Sequence, residues 1–395
     1  MAEAVTLAHV ARPIAAMAAL RDTPVESTFA CDPRAREFVG AADVPWRPVA
    51  SIDPRAFLDR LRRGTAVYDE TTLRRYVDAD LALIREIKPD LVIGDFRLSL
   101  SVSARVARVP YATIASACWS PAYDPPGWPV PELPMTRILP ISVSTALFRG
   151  LRRASFAIHA QPLNRVRKSF GMPSLGADLR TTYTDADHVL YADLPELYPM
   201  RSLPPDHRFI GPALWEPPAT QDVEWPTASD ERPMVYLTLG SSGNAALLPT
   251  VIDALGSLPV TAMVATAGPS GVHAGGTPRN VRVTGMLPGM EAARRSRLVI
   301  CNGGSLTCYQ GLSSGVPVIG IASNLDQMLS IQAVAQSGAG IPLRADRLDP
   351  LRLRDTIMSA LCDPKYASAA RLAGTWCSRH RLAESLGAFI SELRA

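Results

Sequence analysis

One pattern recurs along this chain: a short apolar run, a turn, and then a segment whose apolar residues have helical spacing. Such alternation is typical of α/β proteins with parallel strands, because each helix returns the chain to the edge where the next strand begins. At 395 residues the chain is too long for one ordinary hydrophobic core. The sequence therefore predicts an α/β fold with two doubly wound domains facing a cleft.

The same pattern gives the domain boundaries. The predicted strands are residues 25–30, 88–95, 109–116 and 187–193 in the first half, and 233–240, 260–268, 280–285, 297–304 and 316–323 in the second. Residues 211–233 between the halves are rich in Pro, Asp, Glu and Trp and follow neither the helical nor the strand period. We predict an N-terminal domain over 1–212, a linker over 213–232, a C-terminal domain over 233–375, and a C-terminal helix over 376–395 that packs back on the N-terminal domain.

The start of the chain is the least regular part of the pattern. A doubly wound domain normally begins with a buried strand of about five residues, yet only MAEAV precedes the loop TLAH. Either the first strand is unusually short, or the natural chain begins upstream of Met1. The second alternative is the one we favour from the sequence.

Charge and cysteine content exclude several classes of protein. The formal net charge of +4 is small and scattered, so a nucleic-acid partner is not expected. The six cysteines are widely spaced, with no C-x-x-C pair and no histidine at ligand spacing. We therefore expect no metal site, no disulfide framework and a reducing, cytoplasmic setting. No apolar run approaches the ~20 residues of a membrane-spanning helix.

The segment RLVICNGGSLTCYQGLSSGVPVIG places Gly303 and Gly304 between a predicted strand and a predicted helix. Glycines let an anion approach the backbone, and the following helix offers unpaired N–H groups at the positive end of its dipole. Ser305 and Thr307 add hydroxyl donors in the first turn. The segment predicts a diphosphate site that needs no metal, and a tight turn that needs glycine only for packing stays open as the alternative.

The wider sequence around this segment resembles the donor-sugar signature of the family 1 glycosyltransferases, which include antibiotic, macrolide and plant small-molecule glycosyltransferases. The signature runs approximately H-x-G-x-x-(S/T)-x-x-E, then G-V-P, then an acid–Gln pair. The residues in register here are Gly304, Thr307, Gly315-Val316-Pro317 and Asp326-Gln327. YLTLGSSG and AHVARPIAAMAAL also resemble the starts of the family's two domains. The resemblance covers nearly the whole chain and implies the GT-B architecture.

The resemblance also implies a reaction and its catalytic residues. It implies an inverting, metal-independent transfer of a sugar from a nucleotide diphosphate to a hydroxyl, with the nucleotide sugar as co-substrate and no other cofactor. His9 occupies the position of the general base, which takes the proton of the acceptor hydroxyl. Asp95 matches the carboxylate that fixes the tautomer of this histidine and stabilises its charged form. Without the resemblance, His9 would be interpreted as a surface or capping residue and Asp95 as a strand-end residue.

The resemblance assigns donor-binding roles in the C-terminal half. The residues expected around the diphosphate are Ser241, Ser242, Asn302, Gly303, Gly304, Ser305 and Thr307. Asp326 and Gln327 match the pair that hydrogen-bonds the sugar hydroxyls, and Asp326 is equally compatible with the N-cap of a helix over 326–337.

Two donor positions depart from the family pattern. Asn302 replaces a histidine that donates to the diphosphate, and Gln310 replaces a glutamate that binds the nucleotide ribose. Asparagine still donates a hydrogen bond but carries no positive charge, so phosphate binding depends more on the helix terminus. Glutamine is a weaker partner than a carboxylate for a ribose diol. These departures put UDP-sugars in doubt, leave dTDP-deoxysugars as an alternative, and admit a weakly active or non-catalytic member.

The acceptor side is the region with the fewest sequence signals. In the family, the region matching 119–170 forms part of the acceptor pocket, so Trp119, Tyr123 and Trp128 are expected to pack on a small hydrophobic natural product. The basic stretch that follows admits a second hypothesis, a peripheral-membrane enzyme that glycosylates a lipid, although a charged helix is more often a solvated face. A third hypothesis is a non-catalytic nucleotide-binding or partner protein, against which the presence of His9 and Asp95 argues.

Overall fold

A computed structural model describes residues 1–40, 44–217, 223–226, 231–266 and 276–394. The chain divides into two compact units, a first unit of residues 1–213 with 380–395 and a second unit of residues 214–379. Both units are α/β with parallel sheets, which confirms the predicted fold class. Residues 267 and 268 of one predicted strand, and residues 218–222 and 227–230 of the predicted linker, lie outside the described residues.

The first unit contains two parallel sheets. One pairs β1 (Phe29–Cys31) with β2 (Trp46–Pro48), and the other has the order β3 (Val92–Asp95), β4 (Tyr111–Ala115), β5 (His188–Tyr191), β6 (His207–Phe209). The first residues of the chain join the two sheets. Ala2 forms an isolated parallel bridge with Asp95, and its N–H donates to the carbonyl of Ala30 at 2.9 Å. Residues 1–3 therefore lie between β1 and β3 as a very short extended segment, and a turn follows at residues 4 and 5.

Helices cover these sheets. In the first unit they are α1 (Leu7–Ala19), α2 (Arg36–Gly40), α3 (Pro54–Arg63), α4 (Glu70–Ile87), α5 (Leu100–Ala107), α6 (Pro134–Ile138), α7 (Ile141–Ser169), α8 (Leu179–Tyr183) and, after the second unit, α15 (Leu382–Arg394), which packs on α1. Asp69 caps α4 by accepting a hydrogen bond from the N–H of Thr72. No helix in the described ranges is both long and apolar enough to cross a membrane.

The second unit contains one six-stranded parallel sheet. Its strands are β7 (Met234–Thr238), β8 (Thr261–Ala265), β9 (Val281–Thr284), β10 (Leu298–Cys301), β11 (Val318–Ala322) and β12 (Gly340–Arg344), in the spatial order β12-β11-β10-β7-β8-β9. This is the strand order of a dinucleotide-binding fold. The strands are all parallel, but successive strands are added first on one side of β7 and then on the other, so the strand order reverses between β7 and β10. The loops that follow β7 and β10 therefore leave the sheet at the point where such folds bind nucleotides.

Helices lie between these strands and follow the last of them. They are α9 (Leu248–Gly256), α10 (Gly289–Arg295), α11 (Ser305–Ser313), α12 (Leu325–Gln336), α13 (Pro350–Cys362) and α14 (Pro364–Arg379). Every residue of β7, β8, β10 and β11 is buried. Parallel strands covered on both faces require continuous apolar sequences, which is why these strands were evident as unbroken hydrophobic runs.

Candidate active site

His9 and Asp95 are in direct contact in the first unit. His9 lies in the first turn of α1, Asp95 is the last residue of β3, and α1 packs on β3. The His9 Nδ1 atom lies 2.7 Å from Asp95 Oδ1. The Asp95 side chain is fully buried, whereas 18% of the His9 side chain is exposed. The pairing expected between these two residues is therefore present, with the imidazole at the surface of the unit and the carboxylate beneath it.

Arg12 is a third member of this site that the sequence analysis did not identify. Its Nε donates to Asp95 Oδ2 at 2.7 Å, and its Nη2 donates to Asp95 Oδ1 at 2.7 Å. The same Nη2 atom lies 2.9 Å from His9 Nδ1. Because Arg12 lies three residues after His9 on α1, both side chains reach the same carboxylate from one face of the helix.

The contacts determine which nitrogen of His9 carries the proton. A guanidinium only donates and an ionised carboxylate only accepts, so Nδ1 either donates to Asp95 or accepts from Arg12. A separation of 2.7 Å between Nδ1 and a carboxylate oxygen requires a proton between the two atoms, and charge-assisted bonds of this kind are the stronger ones. In the neutral imidazole, Nδ1 is therefore the protonated nitrogen and Nε2 carries the lone pair.

Asp95 is ionised despite its burial. Burial alone would raise the pKa of this carboxyl, but the Arg12 guanidinium and the hydrogen bond with His9 outweigh it and lower the pKa below its ordinary value. The buried charge of Asp95 is thus shared between a permanent cation and the imidazole.

Phe96 holds the ring of His9 from the other side. Its ring stacks on the imidazole with centroids 4.6 Å apart and an interplanar angle of 13°. Phe96 has a φ of +55°, in the left-handed region that residues with a side chain rarely adopt. The next residue, Arg97, is fully buried and donates to Glu3 at 2.9 Å and to Asp80 at 3.1 Å. These bonds hold the turn after β3 and keep Phe96 in its unfavourable conformation.

Of the three predicted acceptor residues, Trp119 lies in the aromatic cluster that contains His9. Phe96 contacts Tyr183 with ring centroids 5.3 Å apart, and Tyr183 contacts the half-buried Trp119 at 5.1 Å. Tyr183, at the end of α8, is a residue that the sequence analysis did not single out. The cluster gives the surface beside the imidazole an apolar, aromatic character.

The other two predicted acceptor residues are buried in the first unit. Tyr123 packs edge-on against Tyr198 at 5.3 Å, and Trp128 packs edge-on against Phe156 at 5.5 Å. The guanidinium of Arg152 lies 4.2 Å from the centre of the Trp128 ring. In this structure both residues serve the packing of the loop before α6, and their contact with an acceptor stays a prediction.

The loops after β7 and β10 meet in the second unit, and Asn302 joins them. Its side-chain amide donates to the hydroxyl of Ser242 at 3.2 Å, and its side-chain oxygen accepts from the N–H of Gly304 at 3.0 Å. Asn302 is 5% exposed. Ser242 and Asn302 are therefore brought together as predicted positions of one site, at the reversal point of the sheet. Ser241 is exposed on the same loop as Ser242.

The glycine pair shapes the start of α11. Gly303 has a φ of +79°, and a Cβ there would lie 3.0 Å from the carbonyl oxygen of Gln327. Gly304 is the N-cap and has no side chain with which to cap the helix, which begins at Ser305. The N–H groups of the first turn, including those of Ser305 and Thr307, have no acceptor within the helix. The turn thus needs glycine for packing and also presents backbone donors at the positive end of α11.

Gln327 is engaged by protein groups. It is 2% exposed, its amide donates to the carbonyl oxygen of Ser242 at 3.2 Å, and its side-chain oxygen accepts from the N–H of Ser323 at 3.0 Å. The N-cap of α12 is Asn324, which accepts from the N–H of Gln327, so the alternative that Asp326 is the N-cap is wrong. Asp326 is exposed in the first turn of α12. A role for either residue in binding sugar hydroxyls stays a prediction.

Gln310 is also buried by its own unit. Its amide donates to the carbonyl oxygen of Trp215 at 2.9 Å, and it packs on Gly289, where a Cβ would come within 2.6 Å of the amide. In this structure Gln310 therefore anchors the segment that leads into the second unit. Its expected contact with the nucleotide ribose stays a prediction.

Comparisons with known proteins give the class of this chain. Residues 241–387 match the family described as Erythromycin biosynthesis protein CIII-like, C-terminal domain. The chain is similar to the spinosyn forosaminyltransferase SpnP, with a TM-score of 0.70 and 19% identity over 98% of this chain and 96% of that one. It is similar to the spinosyn rhamnosyltransferase SpnG complexed with thymidine diphosphate, with a TM-score of 0.64 and 19% identity over 97% and 96% of the two chains. These likenesses show the GT-B fold.

Curated relatives are much closer in sequence. The chain is 46% identical to a PGL/p-HBAD biosynthesis rhamnosyltransferase of Mycobacterium bovis, over 94% of this chain and 82% of the relative. It is 43% identical to a PGL/p-HBAD biosynthesis glycosyltransferase of Mycobacterium tuberculosis, over 98% of this chain and 87% of the relative. A relative named as an inactive PGL/p-HBAD biosynthesis glycosyltransferase of Mycobacterium bovis is 43% identical, over 64% of this chain and 69% of the relative. The chain belongs to this family of glycosyltransferases, which confirms the resemblance seen in its sequence.

Proposed function

We propose that this glycosyltransferase inverts the anomeric centre, needs no metal ion, and transfers a deoxysugar from a dTDP-sugar to a hydroxyl of a small hydrophobic natural product. The observation that carries the proposal is the hydrogen bond between His9 Nδ1 and the buried Asp95 carboxylate. That bond places the proton of the neutral imidazole on Nδ1, so Nε2 carries the lone pair that a base needs, on a side chain that is 18% exposed. The rest of the proposal follows from what each unit offers to its substrate.

The chemical step needs one base and one site for a leaving anion. His9 Nε2 takes the proton of the acceptor hydroxyl while the oxygen attacks the anomeric carbon, and the bond from that carbon to the diphosphate oxygen breaks. Attack from the side opposite the leaving group inverts the configuration. The nucleoside diphosphate leaves with an additional negative charge, which the first-turn N–H groups of α11 and the hydroxyls of Ser305 and Thr307 stabilise.

Two observations support a dTDP donor. Gln310 replaces the family's glutamate, and its amide donates to the carbonyl oxygen of Trp215. This contact reduces the number of hydrogen bonds that Gln310 can form with a ribose diol. A solved relative of the same fold contains thymidine diphosphate, and a curated relative is named a rhamnosyltransferase. A nucleotide without the 2′-hydroxyl and a 6-deoxy sugar such as rhamnose fit both observations, and a UDP-sugar is the alternative.

The character of the acceptor rests on the aromatic cluster. The stacked pair of His9 and Phe96 continues into Tyr183 and the half-buried Trp119. Aromatic side chains beside a base favour an apolar acceptor with an exposed hydroxyl, because the rings pack on the acceptor while the base reaches its oxygen. The relatives named for PGL/p-HBAD biosynthesis support an acceptor of that pathway or of similar chemistry.

A turnover assay tests the proposal. The protein is incubated in EDTA with dTDP-rhamnose, dTDP-glucose, UDP-glucose or UDP-rhamnose and a panel of phenolic acceptors, and glycoside formation is followed by chromatography and mass spectrometry. We expect glycoside from dTDP-rhamnose in EDTA, with less product from the matched UDP-sugar. Product only after addition of magnesium would contradict metal independence. Preference for UDP-sugars would contradict the donor assignment.

A second candidate function is that of a non-catalytic member of the family, which binds the nucleotide without catalysing sugar transfer. It is favoured by Asn302 in the position of the family's histidine and by a relative that is named inactive. The intact contact between His9 and Asp95 argues against it. The two candidates differ in the same assay, because a non-catalytic member is stabilised against heat by dTDP yet gives no glycoside with any donor.

A further inference from the structure

Helix α7 carries a stripe of exposed apolar side chains. Of the ten large apolar residues exposed in the described part of the chain, five lie between positions 138 and 158: Ile138, Val143, Leu147, Leu151 and Ile158. Single exposed apolar residues are normal on a protein surface, but a concentration on one helix marks a surface that contacts something apolar. Leu151 and Ile158 are 61% and 60% exposed, so the packing of the unit does not account for them.

The stripe lies on one side of α7 and the core-packing residues lie on the other. Val143, Leu147, Leu151 and Ile158 follow one another at spacings of four, four and seven residues, which keeps them on a single helix face. Buried residues of α7, among them Phe148, Phe156 and Leu163, belong to a different face, and the helix packs on α4, α6 and α8. The first unit thus anchors α7 through one face and leaves the apolar stripe outward.

The charges of α7 are all of one sign. The helix has 29 residues and contains no Asp or Glu, and its basic residues are Arg149, Arg152, Arg153, Arg165, Arg167 and Lys168. Arg167 is buried and paired with Asp185. Arg153, Arg165 and Lys168 are exposed, and in the described ranges none of these three forms an ion pair. Exposed apolar residues flanked by unpaired cations are the pattern of a helix that lies in the interface of an anionic membrane.

We propose that the outward face of α6 and α7, called here the α7 face, docks on a membrane that contains anionic lipid. The apolar stripe enters the headgroup region, and Arg153, Arg165 and Lys168 contact lipid phosphates. A second copy of the chain is a poor occupant, because a two-fold contact would place the same cationic face against itself. The proposal goes beyond sugar transfer, since it assigns a membrane surface to a unit whose catalytic residues lie elsewhere on it.

Vesicle sedimentation tests the proposal without depending on activity. We expect the protein to sediment with phosphatidylglycerol-containing vesicles, to bind pure phosphatidylcholine vesicles at least tenfold more weakly, and to dissociate as salt is raised. Leu147→Glu and Leu151→Glu should each lower the partition constant about tenfold. Leu351→Glu is the matched control, because Leu351 is a 67% exposed leucine on α13 of the second unit.

A charge variant tests the cations of the α7 face separately from its apolar stripe. Arg153→Gln combined with Lys168→Gln should weaken binding to anionic vesicles about tenfold, whereas Arg352→Gln with Lys365→Gln, which removes the same charge from exposed positions of the second unit, should not. Only variants whose melting temperature equals that of the wild-type protein are compared. Absence of vesicle binding, equal binding to neutral vesicles, or equal effects of the control variants would overturn the proposal. A wild-type dimer that Leu151→Glu dissociates in sedimentation equilibrium would assign the face to a second copy instead.

Discussion

Replacing Asn302 by aspartate separates the structural role of this side chain from its role toward a ligand. In the free protein the carboxylate accepts from the N–H of Gly304 as the amide does, and the hydroxyl of Ser242 turns to donate to it. A negative charge beside the first turn of α11 gains about 0.3–1 kcal/mol from the helix dipole, which offsets part of the cost of its burial. We therefore expect the free energy of unfolding to change by less than about 1 kcal/mol.

The same substitution should strongly weaken nucleotide binding. Asn302 Oδ1 lies 3.0 Å from the N–H nitrogen of Gly304, so an anion bound at the first-turn N–H groups would lie roughly 4–6 Å from the new carboxylate. Two unit charges at that distance repel by about 3–4 kcal/mol at an effective dielectric constant of ~20. Even half of that repulsion lowers the affinity by more than about tenfold, and the full amount by several hundredfold.

Isothermal titration calorimetry with dTDP measures this effect, and thermal unfolding without nucleotide provides the control. The account predicts an Asn302→Asp protein with wild-type stability and an affinity for dTDP lower by roughly 30- to 300-fold. Equal dissociation constants for the two proteins would refute the diphosphate site at α11. Loss of both stability and affinity would show that the substitution acts through folding and not through charge repulsion.

Three further predictions concern His9 and Arg12 of the first unit and Gly303 of the second. His9→Ala should lower turnover by roughly 10²–10⁴-fold with little change in dTDP affinity, and unchanged turnover would remove His9 from the mechanism. Arg12→Met removes the guanidinium that donates to both oxygens of the buried Asp95 and lowers the pKa of that carboxyl, so the free energy of unfolding at neutral pH should fall by about 1–3 kcal/mol; wild-type stability would contradict the account. Gly303→Ala should lower the free energy of unfolding by about 1–3 kcal/mol in urea titrations, because φ is +79° and the new methyl meets the carbonyl of Gln327. Wild-type stability of that variant would contradict the strained geometry.

The central strands were predictable, whereas three of the edge strands were not. β7, β8, β10 and β11 are buried along their whole length, so the sequence shows them as continuous apolar runs. β2 (Trp46–Pro48), β6 (His207–Phe209) and β12 (Gly340–Arg344) were missed. Each contains an arginine, and two contain a proline, because an edge strand has one free side and a partly exposed face.

The candidate site shows a similar division. The contact between His9 and Asp95 followed from the family resemblance, and Arg12 could have been added from its spacing of three residues on a helix. The left-handed backbone of Phe96 depends on ion pairs that Arg97 forms with residues far away in sequence, so local preference could not indicate it. Long-range contacts likewise determine the surroundings of Gln310 and Gln327. The sequence assigns both side chains to ligand binding, whereas in the structure both donate hydrogen bonds to protein groups.

The proton NMR spectrum of a glycoside made in excess EDTA tests the central claim most directly. A base at Nε2 of His9 and a diphosphate held by the amino-terminal end of α11 predict product formation without metal, with an anomeric configuration opposite to that of the donor. Retention of configuration, or product only after magnesium is restored, would contradict it.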